Sequence, residues 1–285
     1  MMVNLSLKKR RETMNIIVLE GKRLINDAID AKIKLKYIYF TLEDHLRDIH
    51  NLEEIMATDG TKIMKVLYRD MKIFSSLVTA PGIMAVSEKP DFSKLAVDRS
   101  QQMPLTLVCD NIRDPGNLGT IIRSSAAAGV DKVLLTNGCV DPWNNKVIKS
   151  AAGAHFRIPL VTNVSWSSLT DHLPGGQAFD VFIADSKDHH HQQHTEKLAA
   201  SLQSRDYFGV QFFEPGSRRR QQQQHKVLII ANEAFGPSSE SYQLAQQCNG
   251  SRVTIPLYGN VESLNSAIAS SILLFEIRKQ YNSLQ

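Results

Sequence analysis

Apolar positions in the first third of the chain follow a mixture of helical and strand-like spacing. An apolar run at residues 16–18 is followed by a stretch in which apolar residues recur every three or four positions, typical of an amphipathic helix. KYIYFT (36–41) is rich in β-branched and aromatic residues and predicts a strand. Residues 52–77 suggest two short helices around a weak strand, and GIMAVSEKP supplies another strand. A small α/β unit is therefore predicted for residues 15–90.

From residue 105 onward, continuous apolar runs alternate with helical stretches. Runs of this kind are typical of strands buried on both faces of a sheet. Alternation with helices predicts an α/β fold, a mostly parallel sheet with helices on both faces. The five predicted strands are carried by LTLVCD, KVLLTN, the apolar end of VIKSAAGAHFRIPLV, FDVFIADS and KVLIIANE.

Composition shifts divide the chain further. Residues 1–14 form a basic tail, and residues 91–103 are polar and bounded by prolines, as in a linker. The second domain is then 104–285, interrupted by a His- and Gln-rich insertion at 187–225. Its four histidines within six positions could bind a metal, but no acidic or cysteine ligands of fixed spacing accompany them. A solvated insertion is favoured for it, its RRR run included, and no metal site is expected.

Composition narrows the class of protein without deciding its partner. The 285 residues are 42% hydrophobic and 22% charged, which suits one or two globular domains. A net charge of +4 permits a nucleic-acid partner but does not require one. The three cysteines form no C-x-x-C pair, so zinc or disulfide frameworks are not predicted and a reducing compartment fits. No apolar run approaches the roughly 20 residues that span a bilayer, and the first residues resemble neither a signal peptide nor a typical transit peptide.

Residues 110–130, DNIRDPGNLGTIIRSSAAAGV, turn from a buried strand into a helix through a Gly- and Pro-rich loop. The loop lacks the lysine of a phosphate-binding P-loop and the three glycines of a dinucleotide fingerprint. Helical spacing predicts a buried stripe containing Leu118, Ile121, Ile122 and Ser125. Arg123 falls on the other side among small residues, where it could pair with a phosphate or carboxylate or form a surface ion pair. Geometry alone leaves both open.

Two further turns lie near the C-terminus. LIIANEAFGPS (228–238) runs from a strand into a turn that contains Glu233 and Gly236. A short strand at 253–257 leads through a polar loop into a long helix, for which Ser263 is the predicted N-cap. The apolar face predicted for this helix comprises Leu264, Ala267, Ile268, Ser271, Ile272 and Phe275.

Together these segments resemble the three motifs of the SpoU (TrmH-like) RNA 2′-O-ribose methyltransferases of the SPOUT superfamily. The resembling segments are DNIRDPGNLGTIIRSSAAAGV, LIIANEAFGPS and IPLYGNVESLNSAIASSILLFE. KVIKSAAGAHFRIPL fits between the first two, and EGKRLINDAI…VTAPGIMAV resembles the family's ribosomal-protein-like substrate-binding domain. Within the family the chain most resembles mitochondrial large-subunit rRNA methyltransferases.

The resemblance implies a trefoil-knotted domain that binds S-adenosylmethionine and dimerises, with an RNA substrate, rRNA in preference to tRNA. It implies a mitochondrial or otherwise cytoplasmic protein. By motif position the cofactor contacts fall at Ala231, Gly236, Ile255 and Leu264, and RNA contacts at Lys149 and Ser150. The implied catalytic set is Arg123, Asn117, Glu233, Ser263 and Asn265.

Each implied role has a simpler structural alternative. Asn117 could be a turn residue or helix cap, Glu233 could balance Arg123 or complement a helix N-terminus, and Ser263 could act only as a cap. Asn265 could serve only buried backbone, and Lys149 could face solvent. Arg123 keeps its proton at any ordinary pH, so it is expected to hold the adjacent phosphate and stabilise the forming alkoxide while a neighbour or water takes the proton.

Two departures from the family pattern affect the expected cofactor site. Ala231 and Ala234 stand where glycine is usual, and alanine would be strained if position 231 required a positive φ. A non-catalytic RNA-binding module with a degraded cofactor site is therefore the alternative function. A nucleotide hydrolase is disfavoured because the P-loop lysine is missing.

Overall fold

The computed structural model describes residues 13–75, 77–92, 101–175, 179–185, 193–213, 224–248 and 250–284. Nearly all of the predicted basic tail lies outside these ranges, as do most of the linker, the histidines at 189–191 and the RRR run. Contacts between Cα atoms divide the chain into two compact units: residues 1–97 with 141–157, and residues 98–140 with 158–285. The predicted boundaries differ from this grouping, because they place 141–157 in the second domain.

A four-stranded sheet forms the centre of the first unit, in the order β1-β4-β2-β3. β4 is antiparallel to both β1 and β2, whereas β2 and β3 are parallel. The elements are β1 (Ile16–Glu20), α1 (Lys22–Asp30), β2 (Leu35–Phe40), α2 (Leu52–Asp59), β3 (Lys62–Lys65), α3 (Tyr68–Phe74) and β4 (Ile83–Glu88). The predicted order of strands and helices in residues 15–90 is confirmed.

Seven parallel strands form the sheet of the second unit, in the order β7-β6-β5-β10-β8-β11-β9. The strands are β5 (Met103–Asp110), β6 (Val130–Thr136), β7 (Leu160–Val164), β8 (Phe179–Ala184), β9 (Ser204–Asp206), β10 (His225–Ala231) and β11 (Ser251–Thr254). The helices that follow in the chain are α4 (Pro115–Ala128), α5 (Asn145–Ala151), α6 (Gln193–Ser201), α7 (Ser239–Gln247) and α8 (Ser266–Asn282); of these, α5 belongs to the first unit.

Continuous burial of neighbouring strands explains why the apolar runs predict this sheet correctly. Residues 227–230 of β10 are all buried, as are residues 107–110 of β5. A strand with a solvent-facing side would instead alternate apolar and polar residues. The mostly parallel sheet flanked by helices is confirmed.

Part of the predicted insertion belongs to the fold. Residues 193–206 include α6 and β9, and β9 pairs with β11 at the edge of the seven-stranded sheet. The prediction of a solvated insertion over the whole of 187–225 is therefore wrong for this part. The strand is only three residues long and polar, so no periodic apolar signal marks it.

The buried face of α8 also differs from the predicted one. Its buried apolar residues include Leu273, Leu274 and Ile277, whereas Ile268 and Phe275 from the predicted face are each 51% exposed. Apolar residues lie on two faces of this helix, so spacing alone cannot decide which face packs against the same chain. Among the described residues, no helix is both long and apolar enough to cross a membrane.

A buried histidine makes the stability of the second unit dependent on pH. His225 is 4% exposed at the start of β10, and its Nε2 lies 2.8 Å from Thr106 Oγ1. Burial lowers the pKa of His225 to about 4. Between that value and the ordinary pKa of about 6.5, the unfolded chain binds a proton that the folded chain does not.

We expect the free energy of unfolding to fall as the pH drops from about 6.5 towards 4, with a contribution from His225 of at most about 1.4 kcal/mol per pH unit. His225→Gln keeps a neutral donor near Thr106 but removes the titration. Urea unfolding at pH 7.5 and pH 5 should therefore show a smaller pH difference in this variant than in the parent. Equal pH differences would contradict the assignment.

Candidate active site

The end of β5 and the start of α4 are joined by a tight helix cap. Asp114 precedes α4, and its Oδ1 accepts a hydrogen bond from the Asn117 backbone N–H at 2.7 Å. Pro115 occupies the first helical position, where a missing N–H costs nothing. Asp114 is thus the cap, and the Asn117 side chain is left for other contacts. Leu118, Ile121, Ile122 and Ser125 are buried as predicted.

Asn117 connects residues from all three motifs. Its Nδ2 donates to Glu233 Oε1 at 2.9 Å, and its Oδ1 accepts from Asn265 Nδ2 at 2.8 Å. Three of the five predicted catalytic residues therefore form one hydrogen-bonded chain. The carboxylate of Glu233 meets Asn117 in this arrangement, and no hydrogen bond or ion pair joins it to Arg123 within the described residues.

Asn265, rather than the predicted Ser263, is the N-cap of α8. Its Oδ1 accepts hydrogen bonds from the backbone N–H groups of Ala267 and Ile268, at 3.0 and 3.3 Å. The prediction failed because the loop continues two residues further than the apolar spacing indicates, so Ser263 precedes the helix. Capping occupies the oxygen of the Asn265 amide and leaves its NH₂ to reach Asn117.

A buried aspartate holds the turn after β10. Asp110 ends β5 in register with Ala231, and its Oδ2 accepts from the backbone N–H of Ser238 at 2.8 Å. Burial raises the pKa of this carboxyl, although the Ser238 N–H opposes the change. Asn232 closes the turn through two hydrogen bonds. Its backbone carbonyl oxygen accepts from the backbone N–H of Gly236, and its side-chain Oδ1 accepts from the backbone N–H of Ala234. Sequence reasoning assigned neither Asp110 nor Asn232.

An open cleft of about 570 Å³, solvent-filled space included, lies beside this turn. All four predicted cofactor residues line it, and so do Glu233 and Ser263. The remaining lining residues are Ala184, Asp185, Ile230, Asn232, Pro237, Val253, Leu257, Ser266, Ala269 and Leu273. The cleft is therefore mostly apolar, with a few polar groups, as is typical of small-molecule sites.

Several polar groups at the cleft are available to a ligand. Ser266 is 4% exposed, and its Oγ has no hydrogen-bond partner among the described residues. Within the described part of the chain, no backbone–backbone hydrogen bond involves residues 255–264. Backbone groups of this kind require water or a ligand as partner.

Asp185 at the end of β8 is a charged cleft residue that the motifs do not mark. Its Oδ2 accepts from Tyr242 Oη at 2.8 Å and lies 2.9 Å from Arg252 Nε. Burial and the neighbouring carboxylate raise the pKa of Tyr242, so the phenol stays protonated and donates. The only sequence signal for Asp185 is its position directly after a buried strand.

The remaining predicted residues make no hydrogen bond to Asn117, Glu233 or Asn265 in the described part of the protein. Arg123 is exposed on α4 and has no hydrogen-bond or ion-pair partner among the described residues. Its side chain is therefore available to an external group. Lys149 and Ser150 lie on α5 in the first unit, Lys149 exposed and Ser150 half-buried.

Comparison with protein families gives two matches. The SpoU rRNA Methylase family model matches residues 104–275, and the MRM3-like substrate binding domain model matches residues 1–85. The chain belongs to the SpoU rRNA methylase family. The predicted resemblance is confirmed.

Named relatives cover nearly all of the chain. Human mitochondrial rRNA methyltransferase 3 is 38% identical over 95% of this chain and 69% of its own length. A Bacillus subtilis 23S rRNA (guanosine-2′-O)-methyltransferase is 28% identical over 96% of this chain and 93% of its own length. The human protein is about half as long again as the region that it shares with this chain.

Solved structures share the fold at low sequence identity. The SpoU methyltransferase AviRb from Streptomyces viridochromogenes, in complex with AdoMet, has a TM-score of 0.75 at 23% identity and covers 99% of this chain and 96% of its own. An AdoMet-bound rRNA methyltransferase from Sinorhizobium meliloti has a TM-score of 0.72 at 24% identity, covering 98% and 92%. Similarity at this level supports the architecture of both parts of the chain.

The backbone at Ala231 and Ala234 is unstrained. Neither residue has a positive φ, and Ala231 lies in regular pairing at the end of β10. Gly236, in contrast, has φ 67°, in the left-handed region. The glycine requirement of this turn is therefore met at position 236 rather than at 231.

We expect Ala231→Gly to lower the free energy of unfolding by about 0.5–1 kcal/mol, because glycine loses more backbone entropy on folding. Gly236→Ala is the comparison variant and should cost about 1–2 kcal/mol, because alanine is strained at positive φ. Urea unfolding measures both changes. A stabilising Ala231→Gly would show instead that alanine is strained at this position.

Proposed function

We propose that this protein transfers a methyl group from S-adenosylmethionine to a ribose 2′-hydroxyl of ribosomal RNA. The supporting observation is that the cleft lies beside the hydrogen-bonded residues Asn265, Asn117 and Glu233, which come from the three motifs. Family membership supports methyl transfer, and the name of the Bacillus relative specifies the 2′-oxygen as acceptor.

The residues of the cleft fit S-adenosylmethionine. Apolar side chains such as Leu257, Leu264 and Leu273 offer surface to an adenine ring. The unpaired backbone groups of residues 255–264 and the free Ser266 hydroxyl offer hydrogen bonds to its polar edge. Ala231, Gly236, Ile255 and Leu264 would hold the cofactor, which supplies an activated methyl group when bound.

Catalysis then requires alignment of the ribose and removal of its proton. Alignment of reacting groups can contribute roughly 7–11 kcal/mol to lowering a barrier. We assign Arg123 to the phosphate next to the target ribose, because a guanidinium binds phosphate through two parallel hydrogen bonds. The same charge stabilises the forming alkoxide, and a guanidinium, which has only N–H donors and no acceptor, does not serve as the base.

Asn117, Glu233 and Asn265 form the polar side of the proposed site. Their hydrogen bonds hold the start of α4, the turn after β10 and the start of α8 together. Glu233 and Ser263 both line the cleft, and we assign to them the acceptance or relay of the ribose proton. Lys149 and Ser150 are assigned to RNA rather than to chemistry.

The names of the relatives support a proposal for the RNA and for the compartment. Both named relatives carry rRNA in their names, and the human one is mitochondrial. We therefore propose a large-subunit rRNA substrate and a mitochondrial location. The non-catalytic alternative depended on damage to the cofactor site at Ala231 and Ala234, and the ordinary backbone at both positions favours the enzyme.

A homodimer and a trefoil knot complete the proposal. Ile268 and Phe275 lie seven residues apart on α8, and each is half-exposed. A half-exposed apolar strip on a helix that is also buried on its other side supports a subunit interface there. The knot would involve the segments that form the cleft, residues 231–237 and 255–264.

We expect Arg123→Ala to reduce methyl transfer to unmodified large-subunit rRNA by at least about 100-fold, while the cofactor Kd changes little, because Arg123 acts on RNA. Filter-binding of RNA that carries labelled methyl groups measures methyl transfer, and calorimetry with S-adenosylmethionine measures the cofactor Kd. The transfer assay is repeated with tRNA in place of rRNA. Arg205→Ala, which removes an exposed arginine of β9, is the matched control and should retain activity.

Retained activity in Arg123→Ala would remove that residue from the mechanism. Absence of cofactor binding by the parent chain would refute the enzyme itself and favour the non-catalytic module. Methylation of tRNA in preference to rRNA would refute the substrate assignment alone.

We expect Phe275→Asp, alone or with Ile268→Asp, to convert a dimer into a monomer, because a buried unpaired carboxylate at an interface costs several kcal/mol. Light scattering coupled to size-exclusion chromatography measures the mass. Ile73→Asp changes an apolar residue that is 71% exposed in the first unit and should leave the mass unchanged. A parent chain that is monomeric at micromolar concentration would refute the dimer.

A further inference from the structure

A second cleft lies in the first unit, between α1 and α5. Its volume is about 780 Å³, with solvent-filled space included. We call it the α1–α5 pocket; it is lined by Val18, Glu20, Gly21, Lys22, Arg23, Leu24, Leu77, Asn145, Ile148, Lys149 and Ala152. Of the residues given a role above, only Lys149 lines it.

One side of the α1–α5 pocket is apolar. Val18 and Ile148 are buried, while Leu24, Leu77 and Ala152 are half-buried and face the open space. Aliphatic side chains that remain partly open around a cavity of this size offer a surface to a flat, weakly polar ring. A wall of this kind is typical of small-molecule sites in proteins.

The polar part of the pocket is organised by a carboxylate. Glu20 accepts a hydrogen bond from Ser75 Oγ at 2.6 Å and from Asn145 Nδ2 at 2.8 Å. The Asn145 amide is thereby oriented, with its NH₂ towards Glu20. Its Oδ1 is buried and has no hydrogen-bond partner among the described residues. A buried acceptor without a partner costs free energy, so a donor that reached Asn145 Oδ1 would be stabilising.

Positive charge lies at the rim of the same pocket. Lys149 is exposed and has no ion-pair partner in the described part of the chain. Arg23 is 76% exposed, and its Nε is 4.0 Å from Asp27, a weak pairing. Lys22 is occupied, because its Nζ lies 2.5 Å from Asp48. Two cations therefore remain available for an anion.

The start of α1 adds donors beside these cations. Gly21 precedes the helix with φ 95°, and no side chain caps the free N–H groups of the first turn. The first turn itself contains no acidic residue, and the carboxylate that precedes it, Glu20, accepts hydrogen bonds from Ser75 and Asn145. Free backbone donors at a helix start favour a phosphate when other cations are present.

We propose that the α1–α5 pocket binds one unpaired nucleotide of the RNA substrate. The base would lie against the aliphatic wall with an N–H directed to Asn145 Oδ1, and the phosphate would face Lys149, Arg23 and the start of α1. Paired bases in an RNA helix cannot reach such a pocket, whereas loops and bulges can. The pocket thus selects a structural context in the RNA, and this inference rests on the proposed function only in taking RNA as the substrate.

The test compares two charge reversals on the same helix. Lys149→Glu changes a rim residue of the pocket, and Lys146→Glu changes an exposed lysine of α5 that does not line it. Fluorescence anisotropy of the full chain with a labelled short single-stranded RNA is recorded over a range of salt concentrations, with no cofactor present. An RNA hairpin and guanosine monophosphate serve as competitors.

We expect Lys149→Glu to weaken single-stranded RNA binding by about tenfold and to reduce the slope of log affinity against log salt by about one. Lys146→Glu should change the affinity by less than about twofold. The hairpin stem should compete poorly. Leu24→Trp, which fills the aliphatic wall, should weaken single-stranded binding while its melting temperature stays near that of the parent.

Equal losses in the two lysine variants would show diffuse electrostatic attraction and overturn the pocket. Tight binding of guanosine monophosphate would overturn RNA as the source of the nucleotide, since the pocket would then take a free nucleotide. Because binding is measured without cofactor, a Lys149-dependent affinity in a chain that methylates no RNA would leave the pocket standing and refute the proposed function. In an active enzyme, Lys149→Glu should raise KM for rRNA and leave kcat unchanged.

Discussion

The pairing of β5 with β10 is the constraint on which the candidate site depends. Because the two strands are parallel neighbours, their carboxyl ends lie side by side, with Asp110 in register with Ala231. The loops that follow these strands, about 120 residues apart in sequence, therefore begin at the same edge of the sheet. Functional sites of open α/β sheets form at this edge for the same reason.

Hydrogen bonds then convert this closeness into a defined geometry. The buried Asp110 carboxylate fixes the turn after β10 through the Ser238 N–H, and Asn117 links that turn to the start of α8. An amide suits the Asn117 position because it donates at one end and accepts at the other. A carboxylate could not donate to Glu233, and a hydroxyl could not span the same two partners. The arrangement is thus specific in residue type as well as in position.

The two units contain cavities of different chemistry. The second unit offers an apolar cleft with unpaired backbone groups, suited to a small molecule that carries the reacting group. The first unit, which includes residues 141–157, offers an aliphatic pocket with cations at its rim. In the proposed function, this division would let substrate selection and methyl transfer change independently. It also explains why the mildly basic net charge of the whole chain says little about where RNA binds.

Local sequence determined the strands of both sheets other than β9, the helix that begins near residue 115, and the motifs that identify the family. Continuous apolar runs and cap residues act over a few positions, so they can be detected without knowledge of the rest of the chain. Only the tertiary structure decided that Asn265 caps α8, that Glu233 meets Asn117, and that Ile268 and Phe275 stay half-exposed. It also revealed that polar residues 204–206 join the sheet and that residues 141–157 group with the first unit. Each of these outcomes depends on which distant group lies opposite a side chain, and that information is carried by packing rather than by local spacing.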